Sequence, residues 1–196
     1  MSKKLIGNKK KGSLFVISAP AGTGKSTLVE MLLKEFPNEI AKSCSYTTRS
    51  KRPNEIADKH YHFVSADEFE EKIGKDEFLE YAKVFGNYYG TQKQEVARLR
   101  EQGKHIILVI DTQGAMKIRD QADAIFIFIS PPSLEELRNR LFKRRTESEE
   151  KMNERLEWAK REIEMAPRYD YHLVNDELEV TYQVLRSIFI AEEYRR

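Results

Sequence analysis

One stretch of sequence decides the fold: LFVISAPAGTGKSTL, residues 14–28. Its first five residues, 14–18, are apolar almost throughout rather than alternating, which is typical of a strand covered on both faces of a parallel sheet. A glycine-containing turn follows, and a helical pattern begins near Lys25. The turn matches the pattern GxxxxGK[ST], with Ala19 in place of the first glycine. The stretch therefore predicts a strand, a phosphate-binding turn and a helix in succession.

Each residue type in this turn has a chemical reason. Gly22 and Gly24 allow backbone N–H groups to converge on phosphate oxygens along a curve that a Cβ would obstruct. The positive end of the following helix dipole points at the same anion. Lys25 would reach the β- and γ-phosphates, and the Ser26 hydroxyl would be a ligand of Mg²⁺. We therefore predict a nucleoside triphosphate site made of Ala19, Pro20, Ala21, Gly22, Thr23, Gly24, Lys25, Ser26 and Thr27.

Length and composition narrow the class of protein. The chain has 196 residues, 40% of them hydrophobic and 34% charged, which fits one globular domain with a substantial core. The formal net charge of +2 indicates no general attraction to nucleic acid or to a membrane. The single cysteine, Cys44, excludes an intrachain disulfide and a metal site built on several thiolates. The apolar runs are far shorter than a membrane-spanning helix, so we predict a soluble, cytoplasmic protein.

Short apolar runs alternate with helical patterns along the rest of the chain. Strands are predicted at residues 106–110, 124–130 and 172–175. Capping boxes mark three predicted helix starts, at Ser65 with Glu68, Ser133 with Glu136, and Thr146 with Glu149. The alternation predicts an α/β fold with a central, mostly parallel sheet flanked by helices.

Two stretches interrupt this alternation. Residues 44–92 are polar and aromatic, with alternating patterns that are typical of a small sheet with one wet face. Residues 134–164 are strongly charged and helical. We interpret both as insertions on one core, which is made of residues 13–43, 93–133 and 165–196. Residues 1–12 are predicted to be a basic, flexible tail.

A second basic motif lies in the first insertion: SYTTRSKRPNE, residues 45–55. Arg49 and Arg52 are three residues apart, and Tyr61 supplies a phenol a short distance along the chain. Guanidinium groups match phosphate oxygens bidentately, so these residues could bind a second phosphate. An exposed basic loop without a ligand is the alternative that this motif alone leaves open.

Together with the phosphate-binding turn, three further blocks resemble guanylate kinase: FLEYA (78–82), GNYYGT (86–91) and IDTQG (110–114). They follow the basic motif in the family's order and at its spacing, and the resemblance runs from about residue 13 to the C-terminal helix. It implies a P-loop core with a small β-rich GMP-binding region and a helical lid. It also implies transfer of the γ-phosphoryl group of ATP to GMP, with Mg²⁺, in purine nucleotide metabolism.

The resemblance implies roles for individual residues. Those expected to hold the GMP phosphate are Arg49, Arg52, Tyr61 and Tyr89, and those expected to read guanine are Ser45, Glu80 and Thr91. The role of Glu80 agrees with base chemistry, because one carboxylate can accept hydrogen bonds from both N1–H and the N2 amino group of guanine. Adenine has an acceptor at N1 and would leave this carboxylate unpaired, so the site would reject it.

The second insertion carries five basic residues within residues 138–145. A solvated helix face or an RNA-contacting patch is the alternative, whereas the resemblance favours a mobile lid that brings arginines to the transferring phosphoryl group. Phosphoryl transfer needs charge stabilisation and positioning more than a strong base. Arg144 and Arg155 are the expected phosphate contacts, with Arg140 behind them on the ATP side. The expected catalytic residues are Lys25, Arg49, Arg144 and Arg155.

Asp111 directly follows a predicted strand, where a carboxylate would face the P-loop. It could orient Mg²⁺ through water or contact GMP, and the sequence leaves both roles open. Many family members carry a further Asp where this chain has Val109.

Two other classes of function stay open at this point. One is a binding module that keeps the fold and has lost catalysis, against which the intact Gly24-Lys25-Ser26 argues. The other is a P-loop enzyme that acts on another substrate or on RNA. The sequence does not distinguish a monomer from a homodimer.

Overall fold

The computed structural model describes residues 4–53, 55–143 and 149–195. The strands in these ranges are β1 Leu14–Ser18, β2 Ile40–Lys42, β3 Ser45–Thr47, β4 Tyr61–Phe63, β5 Phe78–Val84, β6 Asn87–Gln92, β7 His105–Val109, β8 Ile125–Ser130 and β9 Tyr171–Val174. The helices are α1 Lys25–Glu35, α2 Ala66–Gly74, α3 Lys93–Glu101, α4 Thr112–Arg119, α5 Leu134–Lys143, α6 Glu149–Glu164 and α7 Leu178–Glu193. None of these helices has the length and apolar character that crossing a membrane requires.

The core is a parallel sheet. Its described strands lie in the order β2-β7-β1-β8-β9, and every neighbouring pair is parallel. β1 lies at the centre with all of its side chains buried, which explains its almost uninterrupted apolar sequence. The predicted α/β fold is therefore confirmed. The three other predicted core strands are found within one residue of their expected bounds, as β7, β8 and β9.

Successive side chains of β1 point to opposite faces of this sheet, and helices cover both faces. Phe15 and Ile17 belong to the apolar layer that includes residues of α1 and α7, and Phe15 stacks on Phe189 of α7 with the ring centroids 3.8 Å apart. Val16 belongs to the opposite layer, with residues of α3 and α4. The sheet is therefore held between two packed layers, and its strand ends offer a rigid base for the loops that follow them.

A second sheet is formed within residues 45–92, with the strand order β4-β3-β6-β5. β5 and β6 form an antiparallel hairpin, while β3 pairs with β6 in antiparallel and with β4 in parallel orientation. Buried residues alternate with more exposed ones along β5, as the predicted one-sided pattern requires. Lys117 of α4 donates a hydrogen bond to the Tyr81 carbonyl at 2.5 Å, which connects this sheet to the core.

Two of the predicted helix starts are confirmed. Ser65 Oγ accepts a hydrogen bond from the backbone N–H of Glu68 at 3.1 Å, and Ser133 Oγ accepts one from Glu136 at 3.0 Å. Caps of this kind stabilise a helix by about 1 kcal/mol. The third predicted box includes Thr146, which lies outside the described residues.

The N-terminal segment differs from the predicted flexible tail. Ile6 is 1% exposed and belongs to the apolar layer beside α1 and α7. The Asn8 N–H donates to the Glu193 carboxylate at 2.5 Å, and Lys9 Nζ donates to the Glu192 carbonyl at 2.9 Å. An apolar anchor and the end of α7 therefore hold the described part of this segment on the core, which its run of lysines did not indicate.

Candidate active site

The expected phosphate-binding turn and Asp111 meet at one edge of the core sheet, where Asn175 also lies. The phosphate-binding turn follows β1, Asp111 follows β7, and Asn175 follows β9. Because these strands are parallel, their carboxyl ends lie on the same side, where α/β proteins bind ligands. The topology alone therefore brings together residues that are far apart in sequence.

The turn between β1 and α1 has the conformation that its glycines predict. Gly22 and Gly24 have φ angles of +92° and +97°, in the left-handed region that a residue with a Cβ rarely adopts. α1 begins at Lys25, so its first backbone N–H groups and the positive end of its dipole face the turn. This arrangement suits a bound anion.

The Lys25 ammonium lies inside the turn. Its Nζ donates a hydrogen bond to the Ala19 carbonyl oxygen at 3.2 Å. Burial lowers the pKa of Lys25, and the carboxylates of Glu162 and Asp111 oppose that shift. Lys25 keeps part of its surface open to the cleft, and an ammonium that is partly shielded from water interacts more strongly with a phosphate than a fully solvated one does.

Asn175 holds the turn through a hydrogen bond. Its side-chain Nδ2 donates to the Thr23 carbonyl at 2.6 Å, and its backbone carbonyl accepts a hydrogen bond from Arg140 Nη1 at 3.0 Å. A Cβ on Gly24 would lie 2.6 Å from the same Nδ2, so this glycine is needed for close approach as well as for its φ angle. The turn is therefore fixed by a side chain from the far edge of the sheet.

Arg49 is oriented by Glu55, an acid of the same basic motif. Its Nη2 and Nη1 donate to Glu55 Oε1 and Oε2 at 2.7 and 3.1 Å, and Oε2 also accepts from the Arg52 N–H at 2.8 Å. Although burial opposes both changes, this pairing raises the pKa of Arg49 and lowers that of Glu55. The Arg49 guanidinium lies over the Tyr61 ring, 5.4 Å from its centroid. Glu55 therefore orders the basic motif around it.

Glu80 is the buried acid of the second sheet. It lies on β5 with 5% of its surface exposed, and its Oε1 accepts a hydrogen bond from Thr91 Oγ1 at 2.7 Å. Burial raises the pKa of the Glu80 carboxyl to about 7. Its Oε2 approaches α4 so closely that a Cβ on Gly114 would lie 2.5 Å from it. Asp111 caps the same helix by accepting from the Gly114 N–H at 2.9 Å.

Residues of the phosphate-binding turn and residues of the second sheet line one cleft, which has a volume of about 340 Å³. The predicted residues that line it are Ala19, Pro20, Ala21, Gly22, Gly24, Lys25, Ser26, Thr27, Ser45, Arg52, Tyr61, Glu80, Tyr89, Asp111 and Arg155. The P-loop forms one wall, and the small sheet forms the other.

The remaining predicted residues do not line this cleft. Thr23 is buried within the turn, Arg49 lies over the ring of Tyr61, and Thr91 is buried and donates its hydrogen bond to Glu80. Arg140 is engaged by the Asn175 carbonyl and a neighbouring carboxylate of its own helix. Arg144 lies outside the described residues.

Sequence analysis missed Glu162, a cleft residue of α6. It is 6% exposed, and no hydrogen bond or ion pair joins it to another described side chain. Burial raises its pKa to about 7, and nearby Lys25 opposes that shift. The only signal was its spacing of seven residues from Arg155, which places both on one face of the helix. Phe85 and Trp158 also line the cleft and were not predicted as site residues.

The cleft can supply oxygen ligands to a divalent cation. No group of three or more His, Cys, Asp or Glu residues in the described part of the chain could hold a metal ion. The Ser26 hydroxyl and the Asp111 carboxylate both line the cleft. Mg²⁺ is commonly held by one or two such groups together with substrate phosphates. The donor set therefore fits a cation that arrives with a nucleotide.

The fold and the turn together define the class: this is an α/β protein of the P-loop type. The sequence profile described as "Guanylate kinase" matches residues 11–192. A guanylate kinase of Protochlamydia amoebophila (strain UWE25) is 56% identical over 192 residues, which cover 97% of each chain. A guanylate kinase of Chlamydia trachomatis serovar D is 52% identical over 182 residues, which cover 93% of this chain and 89% of the relative.

These similarities show that the chain belongs to the guanylate kinase family. The known reaction of this family is the phosphorylation of GMP by ATP, and the chain is an ATP:GMP phosphotransferase. The resemblance that its sequence motifs indicated is confirmed.

Solved structures agree with this assignment. A crystal structure of guanylate kinase from Anaplasma phagocytophilum matches with a TM-score of 0.77 and 34% sequence identity, covering 98% of this chain and 90% of that chain. The SH3-kinase fragment of tight junction protein 3 matches with a TM-score of 0.52 and 13% identity, covering 95% and 58% of the two chains. At that identity the second similarity shows the fold alone, so it does not favour a binding module.

Proposed function

We propose that ATP phosphorylates GMP within this cleft, with the donor on the P-loop wall and the acceptor on the wall formed by the small sheet. One observation carries the proposal: a single cleft brings Lys25 and Ser26 together with Arg52, Tyr61 and Glu80. Two phosphate groups of like charge can approach each other only where cations and N–H donors surround them. The two walls supply these groups from opposite sides.

On the donor side, the N–H groups at the start of α1 and the Lys25 ammonium bind the β- and γ-phosphates. Mg²⁺, when bound, supplies further charge neutralisation to the same phosphates, and Ser26 is the protein group that would hold it. Asp111 caps the helix that Glu80 approaches, so we assign it to the GMP side.

On the acceptor side, Arg52, Tyr61 and Tyr89 bind the GMP phosphate together with Arg49, whose guanidinium lies over the Tyr61 ring. An oxygen of that phosphate attacks the γ-phosphorus in line and forms a new P–O bond. The bond from the γ-phosphorus to the β,γ-bridging oxygen breaks, and ADP leaves with the electron pair. Arg155, with Arg144, stabilises the charge on the transferring group.

Guanine selection is assigned to Glu80, with Ser45 and Thr91. The Thr91 hydroxyl holds one carboxylate oxygen, and the ionised group accepts hydrogen bonds from N1–H and the N2 amino group. Because Glu80 is buried, a base that lacks these donors would leave a desolvated carboxylate without partners. This gives the site a physical reason to reject AMP.

The functional parts then follow the predicted division of the chain. Residues 44–92 bind GMP, residues 134–164 form the lid, and the remaining residues from 13 to 196 form the core. Cys44 is a buried, free thiol, which fits a reducing compartment, and we place the enzyme in the cytoplasm.

The rate of ADP formation from ATP, measured with GMP, AMP, CMP and UMP as acceptors, tests the proposal. We expect GMP to be preferred over AMP by at least ~10³-fold in kcat/KM. The variant Lys25→Met, prepared in the same way, serves as the control for contaminating kinases. No preference for GMP would overturn the acceptor assignment. Failure to bind ATP would favour a binding module, and salt-sensitive RNA binding without GMP turnover would favour an RNA-directed function.

A further inference from the structure

The β5–β6 hairpin ends in an unfavourable turn. Val84 pairs with Asn87, so Phe85 and Gly86 form a two-residue loop, with φ angles of +46° and +80°. Positive φ at both positions is typical of a type I′ turn, for which Asn-Gly is the preferred sequence. An aromatic residue is disfavoured in this left-handed conformation. A bulky residue that persists in such a conformation points to a function for its side chain.

The Phe85 ring reaches across to α6. Its centroid lies 5.4 Å from that of Trp158, with the rings inclined at 48°, and 5.9 Å from Arg155 Cζ. Arg155 and Trp158 are three residues apart and therefore neighbours on the helix surface. Phe85 is still 47% exposed, so burial of the ring in a core does not explain its presence. All three residues line the cleft.

The same hairpin carries the residues assigned to GMP. Glu80 lies on β5 and Tyr89 and Thr91 lie on β6, and the two strands are paired from end to end with one irregularity near Phe78. The acceptor wall and the tip that contacts α6 are therefore one element. A displacement of the acceptor wall would move the Phe85 ring, and with it a contact of Arg155.

We propose that Phe85 is a positioning residue, which holds Arg155 at the cleft through the face of its ring and ties the placement of this arginine to the GMP-binding hairpin. Trp158 packs against the same ring and keeps it in place. The proposal rests on the role assigned above to Arg155. It accounts for an aromatic residue at a turn position where Asn would fit better.

The variant Phe85→Asn separates this role from a structural one. Asn-Gly is the preferred pair in this turn, so the melting temperature should stay the same or rise. We expect kcat at saturating ATP and GMP to fall by ~10-fold, because the misplaced guanidinium no longer meets the transferring group. The KM for GMP should change less than twofold. Phe85→Tyr keeps the ring and should restore most of the lost rate.

Trp158 supplies a second readout, because it is the only tryptophan in the chain. In Phe85→Asn its emission should move to longer wavelength as the apolar contact is lost, and in Phe85→Tyr it should stay close to that of the original protein. A shifted emission with kcat within twofold of the original would show that the contact exists and does not position Arg155, which overturns the proposal. A fall in melting temperature with no change in kcat would assign Phe85 a structural role.

A double-mutant cycle with Arg155→Met distinguishes failure of this inference from failure of the proposed function. If Phe85 acts through Arg155, the two substitutions together should lower kcat by no more than Arg155→Met alone. Multiplicative effects would overturn the inference and leave the role of Arg155 intact. Unchanged activity in Arg155→Met would instead overturn the role assigned to that arginine.

Discussion

The two walls of the cleft are built in different ways. The donor wall comes from one continuous stretch, residues 19–27, and depends on backbone groups held in an unusual conformation. The acceptor wall collects single side chains from β3, β4, β5 and β6, together with the loop that carries Arg52. A local turn can be specified by neighbouring residues, whereas the acceptor wall depends on strand register and on packing between the two sheets.

The walls also differ in what holds their charged groups. Lys25 is placed by its own turn, through the Ala19 carbonyl. Glu80 depends on Thr91 from the neighbouring strand and on the close approach of α4. Substitutions around the two walls should therefore separate binding of ATP from binding of GMP.

The largest effect is expected from Lys25→Met. Removing one charged donor from a phosphoryl-transfer site should lower kcat by ~10³-fold, because charge on the transferring group loses its main protein partner. GMP binding, measured by calorimetry without ATP, should be unchanged. Lys34→Met removes the same charge from an exposed position at the end of α1 and is the matched control. An equal loss in both variants would mean that net charge, not the turn, is responsible.

A smaller effect is expected from pH on the acceptor wall. Burial raises the pKa of Glu80 to about 7, so the ionised form that accepts guanine donors becomes more abundant as pH rises through neutrality. Between pH 6 and pH 8 the kcat/KM for GMP should rise by ~10-fold. Glu80→Gln retains the titration of the GMP phosphate and should lack the part of the rise that Glu80 causes. Identical profiles for the two proteins would contradict this account of Glu80.

Asn175→Ala should affect the donor wall alone. It removes the hydrogen bond to the Thr23 carbonyl, and we expect the KM for ATP to rise by ~5-fold. The free energy of unfolding should fall by ~1–3 kcal/mol, because a buried carbonyl loses its donor. The KM for GMP should be unchanged, and the exposed Asn38→Ala is the control. A rise in the KM for GMP as large as that for ATP would mean that the walls are not independent.

The smallest effect is expected from Gly114→Ala, which tests the acceptor wall in the same way. The new Cβ would lie 2.5 Å from Glu80 Oε2 and should displace the carboxylate, raising the KM for GMP by ~3-fold. Gly74→Ala adds the same methyl group at the end of α2, where nothing lies within 4 Å, and should leave both KM values unchanged. An unchanged KM for GMP in Gly114→Ala would show that Glu80 tolerates the shift.

The strand, turn and helix of the donor wall could be predicted from the sequence, because their signals are local. The apolar run of β1 and the glycines of the turn are adjacent in the chain, and their conformations follow from residue type. The acceptor residues were predicted through motifs that resemble a known family, since no periodicity relates Arg52 on its loop to Glu80 on β5.

Features that depend on distant contacts were not predicted. β2 has only three residues and is a strand because it pairs with β7. Ile6 is anchored by an apolar layer formed far along the chain. The sequence does not distinguish Glu162 from the other charged residues of α6, because its place at the cleft depends on how α6 packs. The left-handed conformation of Phe85 opposes its own preference and is imposed by the two-residue hairpin.

The most direct measurement is the acceptor specificity of Glu80→Gln beside that of the original protein, with ATP binding followed in both. If the two walls act independently, Glu80→Gln should lower kcat/KM for GMP by ~10²-fold, and the advantage of GMP over AMP should shrink accordingly. The KM for ATP should stay within twofold of that of the original protein. Retained discrimination against AMP, or an equal loss of ATP and GMP binding, would contradict the claim that one buried carboxylate on its own wall selects the acceptor.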